Sequence, residues 1–203
     1  MPNEEIETPP KADRVTPDDA PRSAFPRLRR PGKGDGIEMW SLAQASETLE
    51  TNTAYCYVLL ADHFRDTCVV AERNGRIVGM VAAFVSPKSP DTAFVWQVGV
   101  DASERGHGLA KRMIVDLLAR PALADLPFLE ATVAPSNGAS AALFESVARA
   151  LGARLEIEAG YAEKDFPDGH EAERAFRIGP IPGRSRKTPS RKGTTTNGYL
   201  RTA

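Results

Sequence analysis

The chain has 203 residues, 41% of them hydrophobic and 26% charged, with a formal net charge of −1. That is the make-up of one ordinary globular domain with room for a core, and it carries no overall field to draw nucleic acid or a membrane surface. No apolar run approaches the roughly 18 residues of a membrane span. The acidic, proline-rich start lacks the basic-then-apolar order of a signal peptide, so a cytoplasmic protein is expected. Cys56 and Cys68 have no metal-ligand spacing around them. They read as buried reduced thiols, and no metal is expected.

Residues 1–32, with many prolines and mixed charge, read as a disordered extension. From Pro180 to the end come Arg184, Arg186, Lys187, Arg191, Lys192 and Arg201 with no acidic residue, so 181–203 reads as a disordered basic tail. Such a tail is a possible nucleic-acid contact, but a solvated extension is the reading kept. The folded unit is then 33–180. Ile37–Trp40 suggests a short strand, and Ser41–Glu50 and Ala54–Phe64 two helices. Thr67–Glu72 and Arg76–Val85 read as strands, joined at Asn74-Gly75, whose tolerance of positive φ suits a type I′ hairpin. Thr92–Val100 is the next strand. A helix with apolar Leu109, Met113, Ile114, Leu117 and Leu118 on one face follows and stops near Arg120, before Pro121. Phe128–Ala134 is a strand. Ser136 or Asn137 caps a helix that Gly152 ends, and strands at Arg154–Glu158 and Arg174–Ile178 complete the unit.

The stretch Val95–Ala110 is the most informative. It runs from an apolar strand through a polar turn into a glycine-bearing loop that opens the amphipathic helix. Backbone N–H groups at such a helix start are unpaired and face the positive end of the helix dipole, which makes a phosphate site. A plain chain reversal would need the same glycines, and neither a Walker A loop nor a full Gly-x-Gly-x-x-Gly is present. The spacing Arg105-x-x-Gly108-x-Ala110 resembles the pyrophosphate loop of the GCN5-related N-acetyltransferases (GNAT superfamily). The order β-α-α-β-β-β-α-β-α-β-β is also that of this acyl-CoA N-acyltransferase fold. The expected fold class is therefore α/β, with a mixed, mostly antiparallel central sheet and helices on both faces.

Longer strings are more specific. Leu49–Tyr57 leads into Ala61–Ala71; then come Trp96-Gln97-Val98-Gly99-Val100, Leu129-Glu130-Ala131-Thr132-Val133-Ala134-Pro135-Ser136-Asn137, Gly169-His170-Glu171 and Arg177-Ile178-Gly179-Pro180. Together they resemble the L-2,4-diaminobutyrate acetyltransferase family of ectoine biosynthesis over residues 36–180. Glu50 stands where that family favours Asp, and Ala131 and Ala134 where it favours Thr. The extra methylene at Glu50 keeps the charge and moves the carboxylate by about one bond length.

The resemblance implies acetyl-CoA as cosubstrate, a homodimer, and direct acetyl transfer to an amine in a ternary complex. It places Val98, Gly99 and Val100 beside the thioester on a splayed strand, where Gly99 suits a bulge or close backbone approach. The amides of Arg105, Gly106, His107, Gly108, Leu109 and Ala110 would hold the pyrophosphate, and Asn137 would border the pantetheine arm besides capping its helix. A diamine substrate calls for acidic residues, with Glu50 and Glu130 as candidates and Glu130 facing the reaction. Trp96 would pack on the carbon chain or its cation. Tyr55 or Tyr57 could protonate the leaving thiolate. Only one of them can reach the site, since a spacing of two puts them on different helix faces, and Tyr55 is preferred. Asn52, Thr132 and His170 complete the expected substrate set. Two alternatives stay open: the same fold acting on another small amine, and a sensing or interaction module that has lost the chemistry.

Overall fold

A computed structural model describes residues 25–46, 49, 51–167 and 169–185. Residues 1–24 of the expected extension 1–32, residues 186–203 of the expected tail 181–203, and Glu50 lie outside the described residues. Two α-helical layers sandwich one sheet of seven strands in the order β1-β2-β3-β4-β5-β7-β6. The strands are β1 (Arg27–Arg29), β2 (Cys68–Arg73), β3 (Arg76–Val85), β4 (Thr92–Val100), β5 (Phe128–Val133), β6 (Leu155–Tyr161) and β7 (Glu173–Ile178). The helices are α1 (Gly36–Gln44), α2 (Ala54–Asp62), α3 (Leu109–Leu118) and α4 (Gly138–Leu151). Every neighbouring pair is antiparallel except β4 and β5, which run parallel. This is the mixed, mostly antiparallel α/β fold expected.

The element order also agrees, but its first strand is a different segment. Ile37–Trp40 is not a strand; it belongs to α1, whose buried residues Gly36, Met39, Leu42 and Ala43 recur at helical spacing. The edge strand is Arg27–Arg29, ahead of the domain start expected at 33. It pairs with β2 and is fastened by Arg29, which donates 2.6 Å to Glu72 and 2.5 Å to Asp35. Pro26 and Pro31 flank it, as suits a short edge strand. Elsewhere local chemistry decides as expected. Asn74 and Gly75 both take positive φ in the β2–β3 hairpin (52° and 75°), and Gly152 ends α4 at φ 60°.

The two faces of the sheet carry separate cores. On one, Met113, Ile114 and Leu117 of α3 and Phe144 and Val147 of α4 pack on Val69, Val81, Val95 and Leu129. On the other, Met39 of α1 and Tyr57 and Leu60 of α2 pack on Cys68, Val70, Met80 and Ala82. Each fully buried aliphatic chain of this size contributes about 1.5–3 kcal/mol. One irregularity sets which β4 side chains face which layer. Ala82 pairs with Gln97 but Ala83 pairs with Val95, leaving Trp96 without a partner on β3. This bulge inverts the alternation, so Val95 and Val98 join the α3 side while Gln97 turns to α2. The bulge expected at Gly99 is therefore at Trp96. Gly99 instead answers a close approach, since a Cβ there would lie 3.3 Å from Leu49 Cδ1.

Of the two thiols expected to be buried, only Cys68 is fully so; Cys56 is half-buried, packed at the margin of the α1–α2 core. Burial pushes the Cys68 thiol up to about 11. With an aromatic disulfide reagent at pH 8, Cys56 is expected to react alone, and Cys68 only in denaturant. Two fast-reacting thiols in the native protein would contradict this core. The neutral thiol is favoured in the fold, so the stability it contributes is present below pH 9 and declines as pH rises towards 11.

Candidate active site

The parallel pair β4–β5 is joined over Thr92–Phe94 and Phe128–Glu130 and no further. Beyond Phe94 the strands part: β5 continues on its β7 side, while β4 from Val95 to Val100 keeps only its β3 side. The opening holds a cavity of about 860 Å³, lined on the β4 side by Trp96, Gln97 and Val98 and on the β5 side by Ala131, Thr132 and Val133. Leu49 and Asn52, from the connection before α2, close one flank. The α4 start (Ser136, Asn137 and Ser140) and the β6–β7 connection (Tyr161, Phe166, His170, Glu171 and Glu173) close the other. An open strand edge leaves backbone N–H and C=O groups to be satisfied by whatever enters.

Trp96, Val98, Asn52, Thr132, His170 and Asn137 thus meet around one cavity, from segments up to 118 residues apart in the chain. The indole of Trp96 is 38% exposed, because the bulge turns it out of both cores and into the cavity. Asn137 caps α4 as expected, its Oδ1 accepting from the Ser140 amide at 3.0 Å, and the residue also lines the cavity. His170 stacks on Phe166 (centroids 4.0 Å apart) and donates from Nδ1 to the Glu171 carbonyl at 2.6 Å, which fixes where the ring carries its proton.

Other expected residues are not brought to the cavity. Tyr55 is 69% exposed on the outer side of α2 and lines no part of it, and Tyr57 is buried, its phenol donating to Gln97 Oε1 at 3.0 Å. Both positions follow from the helical rotation between residues two apart, which turned the preferred tyrosine outward. Glu130 lies one step closer to the strand junction than Thr132, outside the lining set, and its carboxylate is taken by Arg177. The Arg177 guanidinium also lies 3.8 Å from the centre of the Phe128 ring and within 3.5 Å of Thr92 Oγ1. The pair therefore links β4, β5 and β7 where the opening begins. Gly99 and Val100 continue β4 past the cavity.

Two carboxylates that the sequence reading passed over, Glu171 and Glu173, do line the cavity. The Ser136 hydroxyl and amide hold the Glu171 carboxyl below the usual carboxylate range, the amide donating at 3.2 Å. Gln97 was also passed over. Glu171 and Gln97 sit inside the Gly-His-Glu and Trp-Gln-Val strings, which carried the signal; Glu173 had none beyond its place two residues on. Among the described lining residues there is no lysine or arginine.

Past β4 the chain forms a short turn and then the glycine loop. Gly106 and Gly108 take φ of 79° and 76°, and a Cβ on either would project into open space. Their backbone is thus bare on the side where a ligand would approach. Gly108 is the N-cap of α3 and gives no side-chain cap, so the first-turn amides of α3 are left for an anion. The α3 first turn has no acidic residue, and Lys111 and Arg112 lie in it. Arg105 folds back, its Nε donating to the Val100 carbonyl at 3.0 Å, so its charge stays beside the loop. These groups fit a pyrophosphate followed by a chain that runs along the open β4 edge.

Comparison with known proteins agrees with this geometry. The Acetyltransferase (GNAT) family profile matches residues 37–148. The chain is 46% identical over 155 residues to the L-2,4-diaminobutyric acid acetyltransferase of Halalkalibacterium halodurans, covering 76% of this chain and 82% of that protein. It is 45% identical to the protein of that name from Shouchella clausii, covering 76% and 86%. The structure of the Paenibacillus lautus diaminobutyrate acetyltransferase, in complex with its substrate L-2,4-diaminobutyric acid and coenzyme A, superposes with a TM-score of 0.74. The two are 44% identical, over 76% of this chain and 95% of that one.

Proposed function

The chain belongs to the GNAT acetyltransferase family and, within it, to the L-2,4-diaminobutyric acid acetyltransferases; from that premise we propose that it acetylates the 4-amino group of L-2,4-diaminobutyrate by direct attack on acetyl-CoA in a ternary complex. The observation that carries this is the cavity at the unpaired edge of β4, rich in carboxylate and aromatic groups and free of Lys and Arg among its described lining residues. Such a lining suits a small molecule with two ammonium groups.

Acetyl-CoA supplies the electrophilic thioester. The amides of Gly106–Ala110 hold the pyrophosphate, and the open β4 edge at Val98 donates to the thioester oxygen as negative charge develops on it. Trp96 packs on the amine's carbon chain, Asn52 and Thr132 hydrogen-bond to the amino acid, and His170 meets its carboxylate. The attacking amine, with a pKa near that of lysine, is mostly protonated at pH 7 and must lose a proton. The Glu130 carboxylate is engaged by Arg177, and Ser136 holds the Glu171 carboxyl below the usual carboxylate range. Glu173, on the cavity wall, takes that proton directly or through water, and coenzyme A leaves as its thiolate, which draws a proton from solvent. Glu130 then acts through charge, from behind Thr132. Glu50, in the connection that brings Asn52 to the cavity, is kept as an ammonium ligand. A homodimer in the cytoplasm is part of this reading; exposed Tyr55, Ile157 and Tyr161 supply apolar surface for a partner. No described helix is long and apolar enough to cross a membrane.

The test is thiol release from acetyl-CoA with L-2,4-diaminobutyrate against ornithine, lysine, diaminopropionate and spermidine. We expect kcat/KM for diaminobutyrate to exceed the others by at least about tenfold, since one methylene is worth about 1–3 kcal/mol in a fitted pocket. Equal turnover of another amine would remove the substrate assignment and leave the coenzyme site standing.

A further inference from the structure

We propose that Tyr57 is a positioning residue for this site, acting through Gln97 to hold the Trp96 bulge. This rests on the reading of the cavity above. Trp96 is the weakest-held residue of β4: it has no partner on β3, and β5 has already parted from the strand at Phe94. Its indole nonetheless forms the β4 wall of the cavity. The next residue, Gln97, is 6% exposed, and it and Thr92 are the buried polar side chains among the described residues. The Gln97 side chain points at α2 only because the bulge inverts the alternation. There its Oε1 accepts from the phenol of Tyr57, which is fully buried.

A buried polar pair of this kind gains little stability over a well-packed apolar one, because both groups must leave water. What it adds is direction. If β4 slipped to a regular ladder, Gln97 would leave α2 and the Tyr57 hydroxyl would lose its acceptor in the core. The bond therefore opposes that slip and keeps the indole turned to the cavity. It works from α2, whose leading connection carries Asn52 and is in turn held by α1, since Trp40 Nε1 donates to the Asn52 carbonyl at 3.2 Å. Through α1, α2 and Gln97, the two sides that would grip the amine are set relative to each other.

The experiment uses the full chain carrying Trp40→Phe, which leaves Trp96 as the sole tryptophan of the original two. Tyr57→Phe, Gln97→Met and the double variant are compared with that parent by acrylamide quenching of Trp96, and in the otherwise unmodified chain by KM for diaminobutyrate, affinity for coenzyme A and Tm, because Trp40→Phe itself removes the bond to Asn52. For Tyr57→Phe we expect quenching to rise at least about twofold and KM to rise about tenfold, the scale of one buried hydrogen bond broken on one side. Coenzyme affinity should hold within about twofold. The double variant should be at least as stable as Gln97→Met, because the Tyr57 hydroxyl is removed together with its acceptor, but should recover neither quenching nor KM. Quenching and KM that match the parent in Tyr57→Phe, or that recover in the double variant, would overturn the proposal. Should Tyr57→Phe not fold, Gln97→Met answers the same question. If the chain with both tryptophans fails to turn over diaminobutyrate, the substrate reading falls and quenching alone decides the positioning role.

Discussion

Gly108→Glu is expected to abolish coenzyme A binding while leaving the fold in place. Nothing lies within 4 Å of a Cβ at this position, so a side chain leaves the backbone into open space. Its cost to the fold is the left-handed backbone at φ 76°, about 1–2 kcal/mol for a residue with a Cβ. Its cost to the ligand is larger. A carboxylate about 4 Å from a phosphate, at an effective dielectric near 20, opposes binding by about 4 kcal/mol, on the order of a thousandfold in Kd. Gly108→Ala carries the backbone cost without the charge and should weaken binding far less. Calorimetric titration with coenzyme A separates the two. An unchanged dissociation constant for the glutamate variant would remove the loop from the coenzyme site.

Gly36→Ala should lower the melting temperature by roughly 5–10 °C, the opposite of what helix propensity alone gives. In an exposed helix interior the change stabilises by about 1 kcal/mol. Here α1 and α2 cross so closely that a Cβ would lie 2.7 Å from Val58 Cα and 2.9 Å from Val58 N. Backbone atoms cannot rotate aside, so the helices must separate, and overpacking of this kind costs about 1–3 kcal/mol or more. The connection from α1 to α2 carries Asn52, so KM for the amine should rise along with the loss of stability. A thermal melt at or above the parent's would mean that the two helices are not in contact at Gly36.

These two glycines also mark what the sequence could and could not disclose. Gly108 was legible because a loop, a helix start and a family spacing coincide within a few residues. Gly36 was not, because its reason lies on another helix. The same division holds for the secondary structure. The Asn74-Gly75 hairpin, the Asn137 cap and the Gly152 stop are local devices and stand where the sequence put them. Ile37–Trp40 was misread because four residues are too few to tell a period of two from one of 3.6. Arg27–Arg29 was hidden by its prolines, and its anchors, Glu72 and Asp35, lie elsewhere in the chain. In the site, the strings located the right strands and loops but not the partners of each side chain. Glu130 is engaged by Arg177 across the β5–β7 ladder, and one unpaired residue at Trp96 decides which layer Gln97 meets. Both are long-range facts.

The parting of β4 and β5 has a consequence for how this protein avoids adding strands from other chains to its sheet. A strand edge with free N–H and C=O groups ordinarily invites another chain to add to the sheet, the first step of aggregation. From Val95 to Val100, β4 offers such an edge at the centre of the sheet. The gap beside it closes to nothing at Phe94 and Glu130, however, and the α4 start and the β6–β7 connection crowd its mouth. A pleated strand needs a slot of even width, about 4.8 Å from its neighbour along its whole length. The wedge refuses that shape and admits a thin, flexible thread, so the backbone that is most open to a ligand is also shielded from the proteins around it.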